Sequence, residues 1–446
     1  MRSVSPWSAL ALCAACIAGT AVFAAPRAIA PDTAPQASRP RAADWPAWRG
    51  PSRDGRSPDT GLLKQWPQGG PRLMMTAKNI GAGFSSVAVT GGRIYTMGDR
   101  DGSQYLFALN DSDGSEVWAA RVGPVWEDEY GGPRGTPAVS DGMVFAVGTE
   151  GDVVGVDAAS GKEIWRRSLV ADFGGKMSSM WKFAESPLVD GDRVIVTPGA
   201  GNALIVALNK KTGADIWRAK GSNFGRAGLD GAAYSSAVIS NGGGVKQYIQ
   251  FLGRGIVSVR ASDGWVMWHY NRVANHVASI PTPIVKDNYV FASSGYDSGG
   301  SALLEITAAP EGRTTVTEKY YLERTTFQNH HGGMILAGDH IYAGHGHNRG
   351  FPIAVEFLTG KVAWGGDIRN AGTGSAAVTF ADGHLYFRYQ NGTMMLIEAT
   401  PTGYREKGSF AIPNVRNPSW SHPVVLNGRL YLREQGTLYV YDVREG

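Results

Sequence analysis

The sequence predicts an all-β fold, an eight-bladed β-propeller of four-stranded antiparallel blades, on three observations. Five segments end in Gly-x-x-x-Trp: Gly114–Trp118, Gly161–Trp165, Gly213–Trp217, Gly264–Trp268 and Gly360–Trp364. Such self-similarity at a fixed period marks a repeat architecture. Short apolar runs recur between turn dipeptides, whereas long helix-period segments are absent. Glycine, 60 of 446 residues, supplies the turns that so many short strands require.

Taken in order, the chain opens with an export signal. Arg2 precedes a mostly apolar stretch, Trp7 to Phe23, that ends in Val22-Phe23-Ala24. That small-residue pattern places the leader over residues 1–24. Residues 25–43 are rich in Pro and Ala and read as a linker. The only cysteines, Cys13 and Cys16, fall inside the leader. A mature chain cut there has no disulfide, no iron–sulfur cluster and no Cys-x-x-Cys-His haem attachment. The expectation is a periplasmic or secreted protein with no transmembrane segment in its mature part. A formal net charge of +4 is too small to imply nucleic acid, and a monomer is expected.

Residues 44–446 then form one propeller. One full repeat, TPAVSDGMVFAVGTEGDVVGVDAASGKEIWRRSLV (136–170), holds four apolar runs separated by Asp141-Gly142, Glu150-Gly151 and Ser160-Gly161. These are turn signals between antiparallel strands, here lettered A to D. First strands near residues 85, 136, 186, 236, 282, 332, 375 and 421 give eight repeats of about 40–50 residues, the size of a propeller blade. The fifth repeat carries Tyr320 in place of its tryptophan, and the seventh offers Tyr404. The last repeat stops before a fourth strand, and RLMMTAK (72–78) is spare. Pairing that segment with the last blade would close the ring and remove two exposed edges. The repeated tryptophans read as packing between blades: each is large, flat and carries one donor.

The repeated motif Ala-x-[Asp/Asn]-x3-Gly-x3-Trp resembles the tryptophan-docking motif of pyrroloquinoline-quinone (PQQ) dehydrogenases and their propeller relatives. DWPAWRGPSRDGRSPDTGLL (44–63), with GRG (253–255) and NHHGG (329–333), is similar to bacterial exported proteins labelled PQQ-like repeat or polyvinyl-alcohol-dehydrogenase-like. The likeness covers nearly the whole mature chain and bears on fold more than on activity, because propellers host unrelated functions.

Residues just before strand A, and those in the B–C loops, share one end of the channel. The residues expected there are Arg134, Glu185, Tyr234, Thr282, Asn329, His330, His331, Trp420 and His422, joined by Arg254, Tyr296, Asp297, His345 and His347, with Trp181 and Lys182 nearby. The opposite face receives glycine turns. Three readings stay open for this polar end. A PQQ-type cofactor with calcium would use Arg134, Lys182 and Arg254 for its carboxylates, Tyr234, Asn329, His330, His331, Trp420 and His422 as further contacts, and Glu185 or Asp297 as base. Oxidation of an alcohol or sugar would follow, although the adjacent-cysteine disulfide of the alcohol-dehydrogenase members is missing. A transition metal would use His345 and His347, since a His-x-His pair on an extended segment points both rings one way. His330 and His331, as direct neighbours, are expected to diverge. A non-catalytic surface would bind a small molecule, a glycan or an envelope protein, as the propeller lipoprotein of the outer-membrane assembly machinery does. His269, His276, His340 and His384 read as solvated or structural.

Overall fold

The computed structural model describes residues 44–446, Asn417 excepted. The leader expected over 1–24 and the linker expected over 25–43 lie outside the described residues. Turn chemistry sets the strand pattern. In the second repeat Asp141 (φ 48°) and Gly142 (φ 75°) are both left-handed, the turn whose twist suits a tight antiparallel hairpin. They join Ala138–Ser140 to Met143–Val147, and Asp152–Asp157 and Glu163–Ser168 complete the blade. Eight such four-stranded sheets form, each paired in the order A-B-C-D. The A strands of successive blades neighbour one another, so they line the axis. Among the described residues the helical elements are two three-residue 3-10 turns, and none is long and apolar enough to cross a membrane.

The last blade is built from both ends of the propeller. Val424–Leu426, Arg429–Glu434 and Thr437–Asp442 supply three strands, and Arg72–Lys78 pairs antiparallel with the third, from Arg72 opposite Asp442 to Lys78 opposite Thr437. The ring therefore closes through the spare strand, as its edge chemistry predicts.

The tryptophans dock blade on blade. Indole Nε1 of Trp118 donates to the Ala158 carbonyl at 3.1 Å, that of Trp165 to Lys210 at 2.8 Å and that of Trp217 to Ala261 at 3.1 Å, each acceptor lying in the next blade. Glycine of the motif makes room for this. A Cβ on Gly161 would lie 2.6 Å from the Trp118 ring, and one on Gly264 only 2.4 Å from Trp217. Gly161–Trp165 and Gly213–Trp217 thus receive the preceding indole on the glycine and pass their own forward. Tyr320 keeps the relay, donating to the Phe357 carbonyl at 2.7 Å. Trp268 leaves it and donates to Gln247 Oε1 of its own blade at 3.0 Å. Blade five explains the exception: its outer strands, Gly300–Ala309 and Arg313–Glu323, run past the usual turn position.

The stretch WPAWRGPSRDG crosses the axis as a plug. Trp45 exchanges backbone hydrogen bonds with Val89 of blade one, and the Pro46 carbonyl accepts from Val139 of blade two. Arg53 donates to the Ser186 and Pro187 carbonyls before blade three at 2.8 and 3.0 Å. Trp48 donates to Thr282 Oγ1 before blade five at 3.1 Å, and Arg49 to the Met334 carbonyl of blade six. Gly55 and Ser57 bracket Phe380 of blade seven. Gly55 (φ 74°) is required, because a Cβ there would meet Ile335 at 2.7 Å. The segment seals one end of the channel and leaves the other open.

Candidate functional site

The open end holds a cavity of about 350 Å³. Its floor is Trp48 and Arg49 of the plug. Its walls come from connections into strand A, carrying Phe84, Tyr234, Thr282, Trp420 and His422, and from B–C loops, carrying Tyr296, His347, Asn348 and Gln390. Tyr130, Arg134 and Trp181 close over it from the connections before blades two and three. The wall is largely aromatic: Trp420 packs against Phe84, Tyr130 and His331 at ring-centroid distances of 5.0, 5.2 and 5.0 Å.

The motif NHHGG shapes the histidine side. Strand A of blade six runs Asn329–Ala337, so both histidines lie within a strand and not on a preceding loop. The register jumps from Asn329 opposite His345 to Met334 opposite Ala343, so residues 330–333 bulge out of the ladder. A bulge abolishes the alternation of side chains. His330 and His331 therefore both line the cavity, against the expectation that neighbours diverge. Asn329 holds the bulge: its Nδ2 donates to the Gly344 carbonyl at 3.1 Å and its Oδ1 accepts from the Gly333 N–H at 3.0 Å. Gly332 admits no side chain, since a Cβ would sit 1.6 Å from the Ala376 carbonyl oxygen. Asn329 is thus a clamp beneath the cavity rather than part of its lining.

Ten of the residues picked from sequence converge here: Arg134, Trp181, Tyr234, Thr282, Tyr296, His330, His331, His347, Trp420 and His422. The others do not. Glu185 is buried beneath the wall, accepting from the Thr197 N–H and Oγ1 at 2.7 Å each and from Gln250 Nε2 at 3.0 Å. Burial pushes its carboxyl up to about 7 despite those bonds and the nearby Arg53. Asp297 is fully exposed and pairs with Arg324 at 2.9 Å. Lys182 pairs with Glu150 at 3.0 Å, and Arg254 with Asp230. His345 ends a strand, and its Nδ1 accepts from the Gln328 N–H at 3.2 Å. The His345–His347 pair is therefore split, with only His347 at the cavity. Sequence reasoning missed Trp48, Arg49, Tyr130 and Gln390. The Trp-x-x-Trp-Arg-Gly spacing was the available signal for the first two.

The lining has a marked electrical character: two arginines, four histidines and no carboxylate. Burial lowers the pKa of His330 and His347 and pushes His331 and His422 down to about 3, so all four are neutral at pH 7. Neighbouring charge adds to this, from His347 at His331 and from Arg49 at His422. The His330 ring lies 4.4 Å from His331 and 4.3 Å from His347, tilted by 49° and 50°. Among the described residues no group of three or more His, Cys, Asp or Glu is disposed to hold a metal ion. Two tautomers follow from partners. His422 Nε2 faces the His331 carbonyl at 3.3 Å and must donate, leaving Nδ1 as a lone pair. His347 Nε2 faces Asn348 Nδ2 at 3.2 Å and must accept, leaving Nδ1–H as a donor. Arg134 spends its guanidinium on the Trp181 and Tyr130 carbonyls and lies over Trp126.

Buried polar atoms normally find partners, and exceptions call for a reason. Six of the fifteen unpartnered ones among the described residues belong to this lining: Arg49 Nε and Nη1, His330 Nε2, His331 Nε2, His347 Nδ1 and His422 Nδ1. That concentration makes this cavity the candidate site.

Known proteins bear on it as follows. The family model described as outer membrane protein assembly factor BamB, a PQQ-type repeat model, matches residues 103–366. The chain belongs to the PQQ-like propeller family. Within that family, quinohemoprotein alcohol dehydrogenase ADH IIB of Pseudomonas putida is 28% identical over 208 residues, 44% of this chain and 29% of the enzyme. BamB of Kangiella koreensis is 25% identical over 234 residues, 48% of this chain and 49% of that protein. The chain thus spans less than half the length of either relative. The quinohemoprotein alcohol dehydrogenase of Comamonas testosteroni superposes with a TM-score of 0.60 at 13% identity, over 90% of this chain and 81% of the enzyme. BamB of Moraxella catarrhalis gives 0.56 at 16%, over 84% and 98%. These superpositions show a shared fold.

Proposed function

We propose that the protein is a cell-envelope propeller, periplasmic or secreted and monomeric, whose cavity binds a small planar molecule bearing an acidic group. One observation carries this: a pocket walled by aromatic rings and buried donors, with two arginines and no carboxylate in its lining. Flat rings would stack on Trp48, Trp181 or Trp420, and the arginines would supply countercharge. PQQ, a fused planar ring system with several carboxylates, is of this class, and when bound it supplies a two-electron acceptor. Calcium does not fit. It takes six to eight oxygen ligands, carboxylates foremost, and no Asp or Glu lines the cavity. A carboxylate base is also wanting, with Glu185 fully engaged below the wall and Asp297 in solvent. Ligand binding is thus better supported than calcium-dependent oxidation of an alcohol.

A second reading, quinone-dependent oxidation of an alcohol or sugar, is favoured by the sequence match to the Pseudomonas putida enzyme. Three lining tryptophans provide the assay. Titration with PQQ is expected to quench their fluorescence saturably at micromolar concentration, equally with and without calcium. Calcium-dependent binding together with alcohol-dependent dye reduction would replace this reading by the oxidoreductase. Failure of PQQ and of simple aromatic carboxylates to bind would leave the envelope-scaffold reading that the BamB relatives suggest.

A further inference from the structure

We infer that Arg49, delivered by the plug, is the residue that selects an acidic ligand and ties occupancy of the cavity to the N-terminal segment. The inference rests on the ligand-binding reading above and names the anchor within it. The buried arginines differ in what surrounds them. Arg388 pairs with Glu434 at 2.7 Å with both side chains buried. Arg53 lies in the field of buried Glu185, and Arg433 in that of half-buried Asp99 and of Glu434. Arg49 is as deeply buried and, like Arg53 and Arg433, forms no ion pair, but the carboxylate whose field reaches it is exposed Asp54. Its Nη2 donates to the carbonyls of Asp54 and Met334, while Nε and Nη1 have no acceptor. A buried charge without a counterion is costly, and an anion entering the cavity would relieve it.

Local geometry points the same way. Gly333 lines the cavity in a left-handed conformation (φ 74°), and a Cβ there would lie 2.1 Å from Arg49 Nη1 and 3.0 Å from the His422 ring. The second glycine of NHHGG thus makes room for Arg49 Nη1 itself at the edge of the cavity. Arg134, the other cation of the lining, has carbonyl partners on both terminal nitrogens. The same side chain that faces the cavity also bonds the plug to blade six, so a ligand held by Arg49 tightens that attachment.

The test compares naphthalene-2-carboxylate with its neutral twin naphthalene-2-carboxamide, read by tryptophan quenching on the wild-type chain, R49Q, R49K and R134Q. The wild type is expected to prefer the carboxylate at least tenfold. R49Q should bind both compounds alike, R49K should restore part of the preference, and R134Q should keep it. Retention of the preference by R49Q with its loss in R134Q would overturn the role of Arg49 and leave the binding reading intact. Binding of neither compound by the wild type would overturn both. Should R49Q fail to fold, hydrogen exchange of wild-type residues 45–57 decides: slower exchange with the carboxylate than with the carboxamide is expected, and equal exchange refutes the coupling.

Discussion

Two groups of buried ionisable side chains lie close to the axis and could hardly differ more. In the Glu185 niche the carboxylate is fully satisfied: both oxygens accept, Thr197 and Gln250 are themselves bonded together at 2.8 Å, and nearby Arg53 donates to the Ser186 and Pro187 carbonyls instead. In the cavity wall, four imidazoles and Arg49 are packed among aromatic rings with a ring or guanidinium nitrogen left over on each. Both groups have shifted pKa values with burial as the first cause. A perturbed pKa therefore does not by itself tell the two groups apart, whereas hydrogen-bond satisfaction does.

The comparison can be broken most forcefully at Glu185. Glu185→Ala strands the Thr197 N–H and hydroxyl, while Gln250 Nε2 keeps Thr197 Oγ1 and the Ser235 carbonyl. It should cost about 3 kcal/mol in urea unfolding, since each buried unpaired group costs roughly 1–3 kcal/mol. A loss well under about 1 kcal/mol would show the niche to be no keystone. Acid stability comes next. His331 and His422, neutral when folded down to about pH 3, take up protons in the unfolded chain below about pH 6.5. Stability should therefore fall as pH drops through that window, by roughly 1.4 kcal/mol per unit for each histidine. Glu185 acts with the opposite sign: its raised pKa stabilises the fold at low pH and loses that effect as pH rises towards about 7. Glu185→Gln should accordingly steepen the rise of stability between pH 5 and 6.5, measured by denaturant midpoints. His331→Ala, by contrast, removes a side chain whose Nε2 has no partner. It should change stability by less than about 1 kcal/mol while weakening PQQ binding tenfold or more. The smallest effect belongs to Asp297→Asn, which should leave both melting temperature and ligand binding nearly unchanged, because that carboxylate pairs with Arg324 in solvent and reaches the cavity only through a screened field at His347.

Fold and site were legible to different degrees for a physical reason. Docking of Trp118, Trp165 and Trp217 repeats at nearly constant sequence separation, so a local pattern reveals a global ring. Arg134, Tyr234 and Trp420 were legible because entry to strand A recurs in every blade. Asp297 and Arg254 sit in the right loops, but their side chains turn to surface partners, which spacing does not encode. Arg49 was out of reach: it meets Met334 across 285 positions, with no repeat to announce the contact. The double delivery of His330 and His331 depends on a bulge, and only the paired glycines of NHHGG hint at it.

The plug also constrains the order of assembly. Its bonds reach blades one, two, three, five, six and seven, so its full set of acceptors exists only after most blades stand side by side. Contacts between partners so distant along the chain carry a large loop-closure cost until the intervening blades have folded. Residues 45–57 precede every blade in sequence, yet they can settle only among the last to do so. Docking of this segment completes the floor of the cavity, so the cavity takes its shape as a late event, after the ring that houses it.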